Sequence, residues 1–104
     1  MKIPRHPTLI RRMRDARIKR LAPRCVPLAA SLVRQSGTRG GWQLTLKEEG
    51  KTRTIYVPQE LTEEVRASIR EHRRIRRLLQ EITQLELAAI RAHVAEKRRR
   101  GTRR

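Results

Sequence analysis

Aromatic side chains are nearly absent from this chain of 104 residues, which holds no Phe, one Trp (Trp42) and one Tyr (Tyr56). Large rings supply much of the apolar area a small domain buries, so with 37% hydrophobic residues no deep core is expected. The same scarcity argues against a stacking platform of the single-strand-binding kind. Trp42 is expected to fill the small core, while Tyr56 is the better stacking candidate. Cysteine is limited to Cys25, which excludes an intramolecular disulfide framework and fits a reducing compartment. No apolar run approaches the roughly 18 residues needed to span a bilayer, and no apolar stretch follows the N-terminal charges. A soluble, cytoplasmic protein without a membrane partner is therefore expected. The Arg-rich opening MKIPRHPTLIRRMRDARIKRL shares its bias with mitochondrial transit peptides but is poor in Ser.

Acids are also scarce: 10 Asp plus Glu stand against 27 Lys plus Arg, a formal charge of +17. Self-repulsion on that scale opposes compaction unless a polyanion or counterions screen it. Arg far outnumbers Lys, and its planar fork of donors suits phosphate. The charge is uneven. Residues 1–24 carry +8, 25–60 carry +2 and 61–104 carry +7. This profile divides the chain into a basic N-terminal arm (1–24), a small domain (25–97) and a basic, disordered tail (98–104).

Hydrophobic periodicity gives the elements. Leu9, Ile10, Met13 and Ala16 recur at helical spacing, so a short basic helix is expected over about 9–21, capped by Thr8 and ended by Pro23. Pro23 and Pro27 form a linker, and LAASLVRQ is read as a further helical turn or two. GWQLTLKEEGKTRTIYVP alternates apolar and polar residues about Glu49 and Gly50, which predicts a β-hairpin over about 42–47 and 52–57. Pairing Glu48 with Lys51 sets Leu44 opposite Ile55 and Trp42 opposite Val57. Arg53, opposite Leu46, is then the one misfit. A long C-terminal helix follows Pro58 over about 59–97, with Glu60, Glu63 and Glu64 near its start, and Gly101 can end it. The expected fold is α+β, with the helix covering the apolar side of the hairpin.

REHRRIRRLLQ (70–80) shows how that helix is divided. At about 100° per residue, Arg66, Arg70, Arg73, Arg74 and Arg77 form one stripe, while Ile75, Leu78, Leu79, Ile82 and Leu85 fall on another face. A solvated surface would mix signs to gain i,i+4 pairs, yet between Arg66 and Arg77 the only acid is Glu71. The stripe is read as an anion-binding face. Leu87, Ile90 and Val94 widen the apolar side, which must pack on the hairpin and N-terminal helix or on a second copy.

No catalytic constellation is found. His6, His72 and His93 are scattered without metal-ligand spacing, and Cys25 has no identifiable base, so no enzyme, metal or cofactor is expected. SGTRGG lacks the Gly-Lys-Ser/Thr ending of a phosphate loop, although its amides, with Arg39 beside them, are a candidate phosphate contact.

From LAASLV through GWQLTLKEEGKTRTIYVPQELTEEVRASIREHRRIRRLLQEI, about residues 28–90, the chain resembles a family of short basic bacterial proteins of unknown function often annotated beside transposases. The resemblance rests on the Ser-Leu-Val segment, an aromatic strand, GKTRTIYVP, and ELTEEVR leading into the Arg- and Leu-rich helix. Members usually carry a Cys-Gly-Lys-rich loop where this chain has RQSGTRGG, so no metal or thiol role carries over. The resemblance implies a mobile-element setting and a nucleic-acid role, and the expected location is the bacterial cytoplasm or nucleoid.

The expected function is binding of DNA or RNA through phosphate, with backbone contact favoured over base readout. Arg66, Arg70, Arg73, Arg74 and Arg77 form the main contact. Arg11, Arg12, Arg14, Arg17, Lys19 and Arg20 form a second, and Arg98, Arg99 and Arg100 a loose third. The alternatives are a ribonucleoprotein subunit whose extensions fold on RNA, a helical adaptor that dimerises or docks on an acidic protein through the Ile75 to Ala89 seam, and a basic helix on anionic membrane.

Overall fold

In the computed structural model, residues 1–34 and 41–102 are described. The order is α1 (Pro7–Lys19), β1 (Ser31–Arg34), β2 (Trp42–Glu48), β3 (Lys51–Val57), a short 3-10 turn (Gln59–Leu61) and α2 (Thr62–Thr102). The class is α+β, but the sheet has three antiparallel strands in the order β1-β2-β3. Two compact units are distinguished: Pro23–Ile75, and Met1–Ala22 together with Arg76–Arg104. The first part of α2 belongs to the former, the sheet unit, and the rest to the latter, the helical unit.

The β2–β3 register follows the apolar alternation, with Trp42 opposite Val57, Leu44 opposite Ile55 and Glu48 opposite Lys51. Glu49 and Gly50 both adopt positive φ (51° and 79°), as the tight hairpin turn that matches strand twist requires. Arg53, the misfit opposite Leu46, pairs with Glu48 at 2.9 Å, its diagonal cross-strand neighbour. Leu44, Val57 and Ile69 of α2 are buried together, with Leu28, Ala30, Leu32, Trp42, Leu46 and Val65 packed around them. Ile55 shares the apolar side but stays half exposed.

Three expectations are corrected. LAASLV is not helical, because Ser31–Arg34 pairs with β2, setting Leu32 opposite Leu44 on the core side and leaving Val33 outside. Edge pairing overrides the helix propensity of Leu and Ala. Helix α1 begins at Pro7 rather than Leu9, since proline at the first position suits its fixed φ and the His6 ring, not Thr8, caps it by accepting the Thr8 N–H at 3.3 Å. It also ends earlier, at Lys19. Residues 98–102 continue α2 instead of forming a tail, supported by an i,i+4 Arg100–Glu96 pair at 3.1 Å.

In the helical unit, Ile10 of α1 is buried with Leu85 and Ala89 of α2, and Met13 and Ala88 close the cluster. Of the expected packing residues, Leu78 and Leu85 are buried, Ile75 and Ile82 half-buried, and Leu79 is exposed. Among the described residues, no helix is long and apolar enough to cross a membrane.

Candidate nucleic-acid interface

In the sheet unit, exposed guanidinium groups gather around an apolar hollow. Leu32, Trp42, Arg66, Ile69, Arg70 and Arg73 line an open cleft of about 350 Å³. Its construction follows from register and helical period. Leu32 and Arg34 lie opposite Leu44 and Trp42 on the core side of the sheet, and Ile69 is the α2 residue buried against that side. Arg66, Arg70 and Arg73 sit about 40–100° around the helix from Ile69, so they rim the place where α2 meets the sheet. The Arg66 Cζ is 4.6 Å from the Trp42 ring centroid and the Arg34 Cζ is 6.0 Å from it. Trp42 is therefore half-buried at the edge of the core, with two cations against it, and does not simply fill the interior.

Among the described residues, Asp15, Glu48, Glu71, Glu81, Glu86 and Glu96 are engaged with other arginines. Glu71 accepts from Arg74 Nε at 2.6 Å and Nη2 at 3.1 Å, and from the backbone N–H of Arg24. Only 6% exposed, its carboxyl is lowered to about 2, first by the Arg74 hydrogen bonds and then by the Arg24 amide, against the opposing effect of burial. The segment after Pro23 is consequently more than a linker. Leu28 N–H donates to the Ser68 carbonyl at 2.9 Å, and the Cys25 thiol reaches the Ala67 carbonyl at 3.8 Å, so the segment is fastened along α2. In the helical unit, Arg14 pairs with Asp15 at 3.0 Å and Glu86 at 2.7 Å, and Arg17 with Glu81 at 3.4 Å. These partners raise the Arg14 guanidinium above its ordinary range.

The sequence-predicted site residues thus separate into groups. Arg66, Arg70 and Arg73 are brought together and, among the described residues, no carboxylate lies within ion-pair distance of them. Arg74 stands on the same helix but is engaged by Glu71. Arg77 is exposed in the helical unit, as are Arg11, Arg12 and Lys19 of α1, while Arg20 caps α1. Arg98, Arg99 and Arg100 lie on the last turns of α2. Tyr56, opposite Gln43, points to the sheet face away from Trp42 and packs over Gly41, where an added Cβ would approach its ring to 2.7 Å. Arg39 lies outside the described residues.

Two contributors were missed by sequence reasoning. Arg34 becomes a neighbour of Trp42 only through β1–β2 pairing, and Ser31-Leu32-Val33-Arg34, which does not alternate, carries no local signal of it. Glu71 stands in the sequence only as the single acid between Arg66 and Arg77, with nothing local to show that it would hold a segment 47 residues away. The chain matches no family model, no curated protein and no solved structure.

Proposed function

We propose that the protein binds nucleic acid, contacting phosphate through Arg66, Arg70 and Arg73 on the first turns of α2. The observation that carries this reading is their clustering: three exposed arginines gather round one open cleft and, among the described residues, none of them forms an ion pair with a carboxylate. Spaced i, i+4 and i+7, they repel one another across one helix face. Phosphate relieves that repulsion, and a guanidinium fork meets it bidentately. Arg34 extends the cationic surface across the sheet edge. A setting beside mobile-element machinery is what the resemblance of residues 28–90 implies.

Fluorescence anisotropy of labelled oligonucleotides over a salt series tests this. The affinity should fall linearly on logarithmic axes, with a slope of about 0.7 to 0.9 per neutralised phosphate. Reversing Arg70 and Arg73 to Glu should flatten that slope by about one to two units. Absence of binding near physiological salt, or an unchanged slope in the double variant, overturns the proposal.

An adaptor reading has one observation in its favour. Leu79, Leu87, Ile90 and Val94 are each 42–50% exposed along the α2 segment of the helical unit. It requires that Leu87→Asp together with Ile90→Asp abolish function while Arg70→Glu with Arg73→Glu leaves it intact.

A further inference from the structure

The Trp42 cleft differs from a bare phosphate clamp. A backbone contact needs only cations on a surface, whereas here the guanidiniums of Arg66, Arg70 and Arg73 surround an apolar wall of Leu32, Trp42 and Ile69. A duplex presents a wall of phosphates and keeps its base faces stacked inside, so such a wall would meet nothing it could bury. An unpaired nucleotide offers both parts at once: a flat π-face and an adjoining phosphate. The hollow, about 350 Å³, lies at the small end of the range for ligand sites of about 300–1,000 Å³, a scale that suits one nucleotide rather than a helix. The Arg66 guanidinium stands 4.6 Å from the Trp42 ring centroid, which makes a cation-on-ring pair whose outer surface can take a further planar group.

We infer that this cleft is a subsite for a single unpaired nucleotide, the base resting against the Trp42–Arg66 pair and the apolar wall, the phosphate held by Arg70 and Arg73. The inference rests on the nucleic-acid reading above and narrows its substrate class to strands with unstacked bases. Trp42 acts as a wall of the site as well as part of the small core. Sequence specificity is not implied, because every base has a π-face.

The only tryptophan of the chain stands in the cleft, so intrinsic fluorescence reports on it directly. The full chain is titrated with a short single-stranded oligodeoxynucleotide, with an abasic strand of equal phosphate count, with the matched duplex, and with a nucleoside monophosphate, all at one salt concentration. The base-bearing strand should bind at least about tenfold more tightly than the abasic strand, since stacking of a single base carries roughly that factor. It should also change Trp42 emission where the duplex does not. Arg66→Ala, at an exposed position, should remove most of the difference between base-bearing and abasic strands while leaving the fold intact. Trp42→Tyr, which retains a ring but not the tryptophan emission, should preserve it when binding is read by anisotropy of labelled strands. A monophosphate that competes with the strand would confirm the subsite independently of the other contacts. Equal affinity for base-bearing and abasic strands overturns the subsite and leaves phosphate binding standing. Absence of binding to every strand overturns both.

Discussion

At Glu71 a carboxyl with an ordinary value of 4.5 is lowered to about 2, first by the Arg74 guanidinium and then by the Arg24 amide. Its folded value lies below its unfolded one, so the stabilisation is complete above about pH 4.5 and is lost as the pH falls toward 2. Glu71→Gln should therefore melt at lower temperature than the natural chain at pH 7, and the two melting curves should converge between about pH 4.5 and 2. Circular dichroism melts across that range check this, and parallel pH profiles would remove Glu71 from the account. The hairpin turn offers a change of opposite sign. Glu49 holds φ at 51°, where side chains other than Gly, Asn and Asp are strained. Glu49→Asn should stabilise the sheet unit by about 0.5–1 kcal/mol, read by urea denaturation with Trp42 emission as the probe.

Among the elements, burial along α2 decides which substitutions matter. Leu85 is fully buried against Ile10, whereas Leu79 is half exposed on the same helix. Leu85→Ala should cost about 2–5 kcal/mol and Leu79→Ala less than about 0.5, measured by urea denaturation followed in the far ultraviolet. Equal losses would mean that Leu79 is covered in solution. The elements also show what local pattern can and cannot carry. The β2–β3 register could be read because alternation on both sides of Glu49 and Gly50 admits a single pairing that sorts both strands. The arginine stripe could be read because the helical period places Arg66, Arg70 and Arg73 together. Strand β1 could not, since four residues of Ser-Leu-Val-Arg have no strand identity until β2 lies beside them. The commitment of Arg14 to Glu86 and Arg17 to Glu81 spans 72 and 64 residues, so a helix that looks uniformly basic in sequence is partly neutralised by tertiary structure.

At the scale of the whole molecule, +17 charges on a chain with two small clusters of buried residues among those described set stability against binding. Every arginine kept away from carboxylates for a phosphate costs the free protein something in repulsion. Arg70 and Arg73 carry this argument furthest, because both are exposed, lie one turn apart and have no carboxylate within ion-pair distance among the described residues. Replacing both with Gln keeps helix propensity almost unchanged and removes like-charge contacts worth about 0.2–0.5 kcal/mol each. The double variant should therefore be more stable than the natural chain by about 0.5–1 kcal/mol at low salt, an advantage that fades as added salt shortens the screening length toward about 3 Å at 1 M. The same variant should bind single strands more weakly and gain less melting temperature from them. Urea denaturation at low and high salt, beside melts with and without oligonucleotide, separates these effects. If the variant is instead less stable at low salt, the two guanidiniums hold the sheet unit together, and the charge of this helix is structural in origin.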